Sequence, residues 1–287
     1  MTAGAFYMIA ASFVFSVSYS FIKVMTQELG FWEAAFLRGT LGVFLLSIIL
    51  RYKHQPWLGR RENLLPVLCR GLFGGTAMIL YFWSLRSTTL ANASSLHYAH
   101  PLFTVFLAVP ILKERLHRTK VLLVMGAMSG VLLILQPSPQ HIDWGAFPAF
   151  ISAFFASLAY ISIRFVATKE HWAPIVNALS VFTMVLSAPM AIVTWKTPSL
   201  RLWGFIVAAG VGTTVAQYLM TMAYKLQEAS TVAAFSFTSI LWSTAIGTFI
   251  FGEVPGTMET IGIFVLFVCL VMLVRFRPMH TQVEGSK

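Results

Sequence analysis

"ASSLHYAHPLFTVFLAVPILKE", residues 93–114, is long and apolar enough to cross a bilayer, yet His97, Tyr98, His100 and Pro101 crowd its first third. A run of about 20 predominantly apolar residues reads as a transmembrane helix. Polar side chains and a helix breaker inside such a run are costly unless they face a cavity or one another. The segment therefore predicts an architecture of helices in a membrane. It also predicts a place in that architecture where something other than lipid is met.

The rest of the chain has the same character. Its 287 residues are 57% hydrophobic and 10% charged, with mean hydropathy +0.77, whereas soluble domains carry about 25% charged residues. The net charge of +10 does not mark a nucleic-acid binder. The cations sit singly or in short clusters between apolar runs, with no basic face, and read as topology signals. Cys69 and Cys269 lie far apart without metal-ligand spacing and read as small buried hydrophobes. The N-terminal "MTAGAFYMIAASFVFSVSYSFIK" lacks the cationic start and short apolar core of a cleaved signal, so it reads as a retained first span.

Apolar windows predict ten spans, near 3–25, 31–50, 66–85, 90–112, 119–136, 144–165, 172–195, 202–224, 229–251 and 257–275. The connections are short, the longest being 51–66. With the N-terminus in the cytoplasm, fourteen Lys and Arg residues fall on the inside and six fall outside or within spans. That asymmetry predicts both termini inside.

A shift of 139 residues aligns Arg38 with Asn177, Gly71 with Gly210, Arg86 with Lys225 and Glu114 with Glu253. A shift of 141 aligns Tyr19 with Tyr160 and Lys23 with Arg164. Five spans per repeat is an odd number, so the second repeat enters the membrane upside down. The predicted fold class is an all-α polytopic membrane protein of ten transmembrane helices, arranged as two inverted five-helix repeats. The repeats are 1–137 and 138–276, followed by a cytoplasmic tail at 277–287.

The stretches "FWEAAFLRG" at 31–39, "ANASSLHYAHPLFTVFLAVPILKERL" at 91–116 and "EASTVAAFSFTSILWSTAIGTFIFGE" at 228–253 resemble the EamA-type transporters of the drug/metabolite transporter superfamily. The resemblance runs from end to end. It implies two bundles enclosing a central cavity that is reached alternately from either side, and a place in a bacterial inner (plasma) membrane. Glu114 and Glu253 occupy the acidic position that closes the fourth span of each repeat in that family. Members export aromatic amino acids, carry S-adenosylmethionine or choline, or move other metabolites, so the substrate stays open.

Polar groups within spans give the candidate substrate site: Tyr19, Arg38, Tyr81, Trp83, His97, Tyr98, His100, Tyr160, Gln217, Tyr218, Ser236, Ser239 and Trp242. His97 and His100, three residues apart, share a helix face. They are either a substrate or proton site or neutral rings bonded to a neighbouring span. Arg38 either binds a substrate carboxylate or phosphate or, as the resemblance implies, serves the scaffold. Lys23 and Arg70, closer to span ends, are expected to snorkel. Tyr81, Trp83, Tyr98, Tyr218 and Trp242 read as an aromatic box or as interface anchors. Pro101 reads as a hinge or a packing kink, and Glu114 and Glu253 as scaffold or gating residues. Gly71, Gly74, Gly75, Gly210 and Gly212 suit close helix packing.

The expected function is secondary transport of a small organic metabolite, amino-acid-like, aromatic or cationic, in the direction of export. The alternative is uptake or exchange of S-adenosylmethionine or another metabolite on the same fold. No G-x-x-x-x-G-K-[ST] loop is present, so direct ATP drive is not expected, and neither a cofactor nor a metal is called for. Proton coupling falls to His97, His100 or a residue at a span end. A lipid-modifying intramembrane enzyme would need a nucleophile–base pair, for which Ser94 or Ser95 beside His97 is a poor candidate. A channel would need a repeated filter motif. The expected partners are the small-molecule substrate and membrane lipid.

Overall fold

The computed structural model describes residues 2–87, 96–114, 117–136, 144–251 and 256–275, and every regular element among them is helical. In order these are α1 (Ala3–Glu28), α2 (Phe31–Tyr52), α3 (Leu64–Ser87), α4 (His100–Leu112), α5 (Arg118–Leu135) and α6 (Phe147–Val166). Then follow α7 (Trp172–Val193), α8 (Leu200–Leu226), α9 (Ala229–Phe235), α10 (Thr238–Phe251) and α11 (Thr257–Arg275). Among the described residues, eight helical segments are long and apolar enough to cross a membrane, the stretch Ala229–Ile246 across α9 and α10 counting as one. The apolar α4 is shorter, at 13 residues. The start of the predicted fourth span, with Ser94 and Ser95, lies outside the described residues. So do Glu253, the 277–287 tail and the side chains of Lys23 and Arg86.

The principal helix pairings run between the two sequence halves. α1 packs on α8, α3 on α6 and α7, α2 on α7, and α5 on α11, while α4 lies against α6 and α9 and α10 lies against α1. Water does not drive helices together in lipid, so close van der Waals packing must, and small residues permit it. A Cβ at Gly130 of α5 would stand 2.9 Å from the Gly262 carbonyl of α11. One at Gly71 of α3 would stand 2.7 Å from the Ala178 carbonyl of α7. Gly75 of α3 meets the α7 backbone in the same way, and Gly210 and Gly212 of α8 meet Leu41 and Ser18. Gly74 differs: the atom its missing Cβ would strike first is Nη1 of Arg70, in its own helix.

Large apolar side chains stay exposed on the outer surface, among them Phe44, Ile48, Leu122, Ile192, Phe264 and Phe267. A water-soluble surface rarely carries that much contiguous apolar area, and lipid is its natural cover. The long connection after α2 is docked rather than loose. The Glu170 carboxylate accepts from the backbone N–H of Arg60 at 2.9 Å and from Nδ2 of Asn63 at 3.2 Å. Asn177 Nδ2 donates to the Trp57 carbonyl at 3.0 Å. Asn177 thus ties a loop to α7 and does not point to the centre.

Candidate functional site

A cavity of about 100 Å³ lies between the halves. α1 contributes Ser12 and Tyr19; α3 contributes Arg70, Met78 and Tyr81; the segment entering α4 contributes His97, Tyr98 and His100. From the other half come Tyr160 of α6, Leu179 of α7, Gln217 of α8, and Ser236 and Ser239 around the α9–α10 junction. Among the described residues, neither Asp nor Glu lines it.

Two helix interruptions face this space. In the first half the backbone turns at Tyr98 and Ala99, and α4 starts afresh at His100. Pro101, which has no N–H to give, falls in the first turn of α4, where none is needed. In the second half the chain turns at Ser236 and Phe237 between α9 and α10. No proline marks that break; hydroxyls take up the local carbonyls instead. Ser236 Oγ donates to Ala233 O at 2.6 Å, Thr238 Oγ1 to Phe235 O at 2.7 Å and Ser239 Oγ to Ser236 O at 2.8 Å. Irregular backbone at membrane depth is tolerated where protein or a cavity, and not lipid, surrounds it.

Of the predicted aromatic and imidazole residues, Tyr81, His97, Tyr98, His100 and Tyr160 form a connected wall. His97 packs on Tyr81 in a tilted arrangement with ring centroids 4.3 Å apart, and its Nδ1 shares a 2.8 Å hydrogen bond with Ser152 Oγ of α6. Tyr98 shares a 2.7 Å hydrogen bond with Ser239 Oγ. His100 meets Tyr160 edge-on at 5.0 Å, and Tyr160 stacks on Tyr224 at 5.6 Å. Tyr19 stacks on Phe15 at 5.6 Å. The His97–Ser152, Tyr98–Ser239 and His100–Tyr160 links each join one half to the other. Nδ1 of His100 and the Tyr224 hydroxyl are buried without a hydrogen-bond partner.

Arg70 overturns the snorkelling expectation. It is 2% exposed and lines the cavity. Its Nη2 donates to Gln217 Oε1 at 2.8 Å, and its Nε has no partner. The side chain turns inward because Gln217 offers an acceptor there and Gly74, one turn along, leaves the space. Arg38 is also buried. Its Nη1 rests on the Met78 sulfur at 2.7 Å and its Nε is unpartnered, so it stands behind the wall formed by Met78 without lining the cavity.

Three predicted aromatics are placed elsewhere. Trp83 is 51% exposed, on the outer side of α3. Tyr218 packs edge-on against Trp172 at 4.7 Å and Trp242 against Phe13 at 5.1 Å, and neither lines the cavity. Their rings satisfy lipid or a neighbouring helix, the other use open to an amphipathic aromatic. Ser12, Ser152, Met78 and Tyr224 belong to the site or its backing and were not read from the sequence as such.

Glu114 lies at a junction of the halves. Its carboxylate accepts from Ala229 N at 2.7 Å, Ser230 N at 3.2 Å and Ser230 Oγ at 2.6 Å, capping α9. Beside it, the buried Lys120 ammonium pairs with Glu228 at 2.6 Å and donates to Ser230 Oγ at 3.0 Å. Among the described residues no cluster of three His, Cys, Asp or Glu side chains could hold a metal.

The EamA-like transporter family matches the chain twice, over residues 2–136 and 143–275. The chain is 27% identical to the pseudopaline exporter CntI of Pseudomonas aeruginosa, over 96% of this chain and 97% of that protein. It is 25% identical to human solute carrier family 35 member G1, over 90% of this chain and 75% of that protein. It is also 25% identical to the S-adenosylmethionine uptake transporter of Rickettsia prowazekii, over 83% of this chain and 82% of that protein. A crystal structure of a protein 19% identical in sequence superposes with a TM-score of 0.81, over 96% of this chain and 98% of that one, so the fold is shared. The chain carries two EamA repeats and belongs to the EamA-like transporter family of the drug/metabolite transporter superfamily; it is a multi-pass membrane transporter and not an enzyme.

Proposed function

We propose that the protein is a secondary transporter that exports a small organic metabolite by alternating access through the cavity between its halves. The observation that carries this reading is the cavity itself. It holds polar side chains within apolar spans and is lined from both halves at two opposed helix breaks. The pairing pattern supports an inverted repeat. Exchanging the halves turns α1 on α8 into α6 on α3, turns α10 on α1 into α4 on α6, and leaves α2 on α7 and α5 on α11 unchanged. In this reading α4 with the residues before it, together with α5, brings the span count to ten. The fourteen-to-six distribution of cations puts both termini in the cytoplasm, and the bacterial relatives fit an inner-membrane location.

Export is favoured by the similarity to an exporter over nearly the whole of both chains. Uptake or exchange is the second reading, supported by the similarity to an S-adenosylmethionine uptake transporter. In this reading a coupled proton falls to His97 or His100, since among the described residues no carboxylate lines the cavity. The test is flux of labelled amino acids and S-adenosylmethionine in proteoliposomes of the purified protein. Protein-dependent flux that falls in His97→Ala at unchanged expression is expected. Flux indistinguishable from empty liposomes for every solute contradicts the reading.

A further inference from the structure

A buried guanidinium needs a counter-charge, because Arg cannot shed its proton and leaving a buried charge unpaired costs more than pairing it. Arg70 is almost fully buried, bonds only the neutral amide of Gln217, and leaves Nε without a partner. Arg38 behind it has a thioether for a partner and likewise an unsatisfied Nε. The Tyr19 phenol lies within electrostatic range of both. Among the described residues, the acidic side chains that make hydrogen bonds do so elsewhere, Glu114 and Glu228 at the α9 terminus, Glu170 at the docked loop and Glu259 at the start of α11, and the buried Glu33 at the start of α2 does not line the cavity. Among the described residues the cavity wall thus carries the Arg70 cation and nothing negative.

Resting on the transport reading above, we infer that the substrate carries a carboxylate and that Arg70 receives it. Gln217 holds one nitrogen of the fork in place and Gly74 leaves the lane in which the guanidinium lies. A carboxylate entering the cavity accepts from the unpartnered face of Arg70, a charge-assisted contact with the planar fit that guanidinium favours. The rings of Tyr160 and His100 flank the organic remainder. A purely cationic metabolite is repelled by this wall.

The test uses the full-length protein in detergent and matched probes that differ only at the acid: L-histidine with L-histidinamide, L-phenylalanine with L-phenylalaninamide, and glycine betaine with choline. Specific ligands raise the melting temperature by mass action. A rise confined to carboxylate members is expected. Arg70→Gln should weaken their apparent affinity by at least about tenfold, the scale of a lost charge-assisted hydrogen bond. Arg70→Lys, which keeps charge but loses the fork, should retain part of the affinity. The ligand-free melting temperature of Arg70→Gln should match or exceed that of wild type, because an unpaired buried charge has gone. Amides or choline that stabilise as well as the acids would overturn the inference. So would the absence of any carboxylate response, an undiminished response in Arg70→Gln, or a ligand-free Arg70→Gln that melts several degrees lower. Proteoliposome flux separates the two readings. Arg70-dependent carboxylate binding without flux removes transport and leaves this inference, whereas carboxylate flux that survives Arg70→Gln does the reverse.

Discussion

Glu114 and Arg70 are both charges at the junction of the halves, the first partly buried and the second fully, and they differ in how completely they are answered. The two oxygens of Glu114 take three hydrogen bonds from the start of α9, where the helix N-terminus also favours negative charge. Arg70 has one neutral acceptor and an idle Nε. A charge with every valence met fixes the scaffold, and a charge left partly unmet waits for something to arrive. The same contrast separates Lys120, paired with Glu228, from Arg38, lodged against a sulfur.

The comparison breaks most visibly at Glu114. Glu114→Ala strands two helix-end amides and should lower stability by about 2–4 kcal/mol, seen as reduced folded yield and melting temperature. Normal stability in that variant would mean the cap is dispensable. His97→Ala loses the Ser152 bond and the tilted ring contact with Tyr81, and flux should fall roughly three- to tenfold, the scale of one lost hydrogen bond. Gly74→Ala sharpens the contrast: its Cβ meets the far end of the Arg70 side chain and, at 2.8 Å, the Leu179 Cδ1 methyl of α7, both side-chain ends that can shift aside. Transport should drop several-fold while the melting temperature stays within about a degree; a large loss of stability would place Arg70 with the scaffold.

The smallest effect concerns His171, which lies outside the spans and caps α7 by accepting from Ala173 N–H at 3.3 Å through Nδ1. Partial burial first, and the Lys53 charge second, hold its imidazole below the ordinary value. The unfolded chain therefore binds this proton more readily than the folded one. The contribution to stability is complete above about pH 6.5 and is lost as pH falls below that through the depressed folded value. His171→Asn, which caps without titrating, should flatten melting temperature against pH between about pH 5 and 7; unchanged slopes would contradict the assignment.

The helical fold was legible because bilayer length and apolarity are properties of contiguous sequence, and the aligned pairs Tyr19 with Tyr160 and Glu114 with Glu253 exposed the repeat. His97, Tyr98, His100 and Tyr160 were legible for a related reason: a polar group deep in an apolar run has few places to face. Arg70 was not, since its position six residues into α3 suits snorkelling, and only the fold shows Gln217 of α8 opposite it. Trp83, Tyr218 and Trp242 misled because an aromatic ring satisfies lipid, a packed helix or a ligand equally well, and sequence spacing does not say which.

The central claim is that solute passes through the cavity between the halves. Ala77, a small residue on its wall, replaced by Cys in a chain with Cys69→Ser and Cys269→Ser, puts a thiol in that path. Proteoliposome flux of a carboxylate that stabilises the protein, measured before and after full labelling with a bulky methanethiosulfonate, decides the matter. The account expects flux to fall to the protein-free background and to return on reduction. Undiminished flux through fully labelled protein would contradict it.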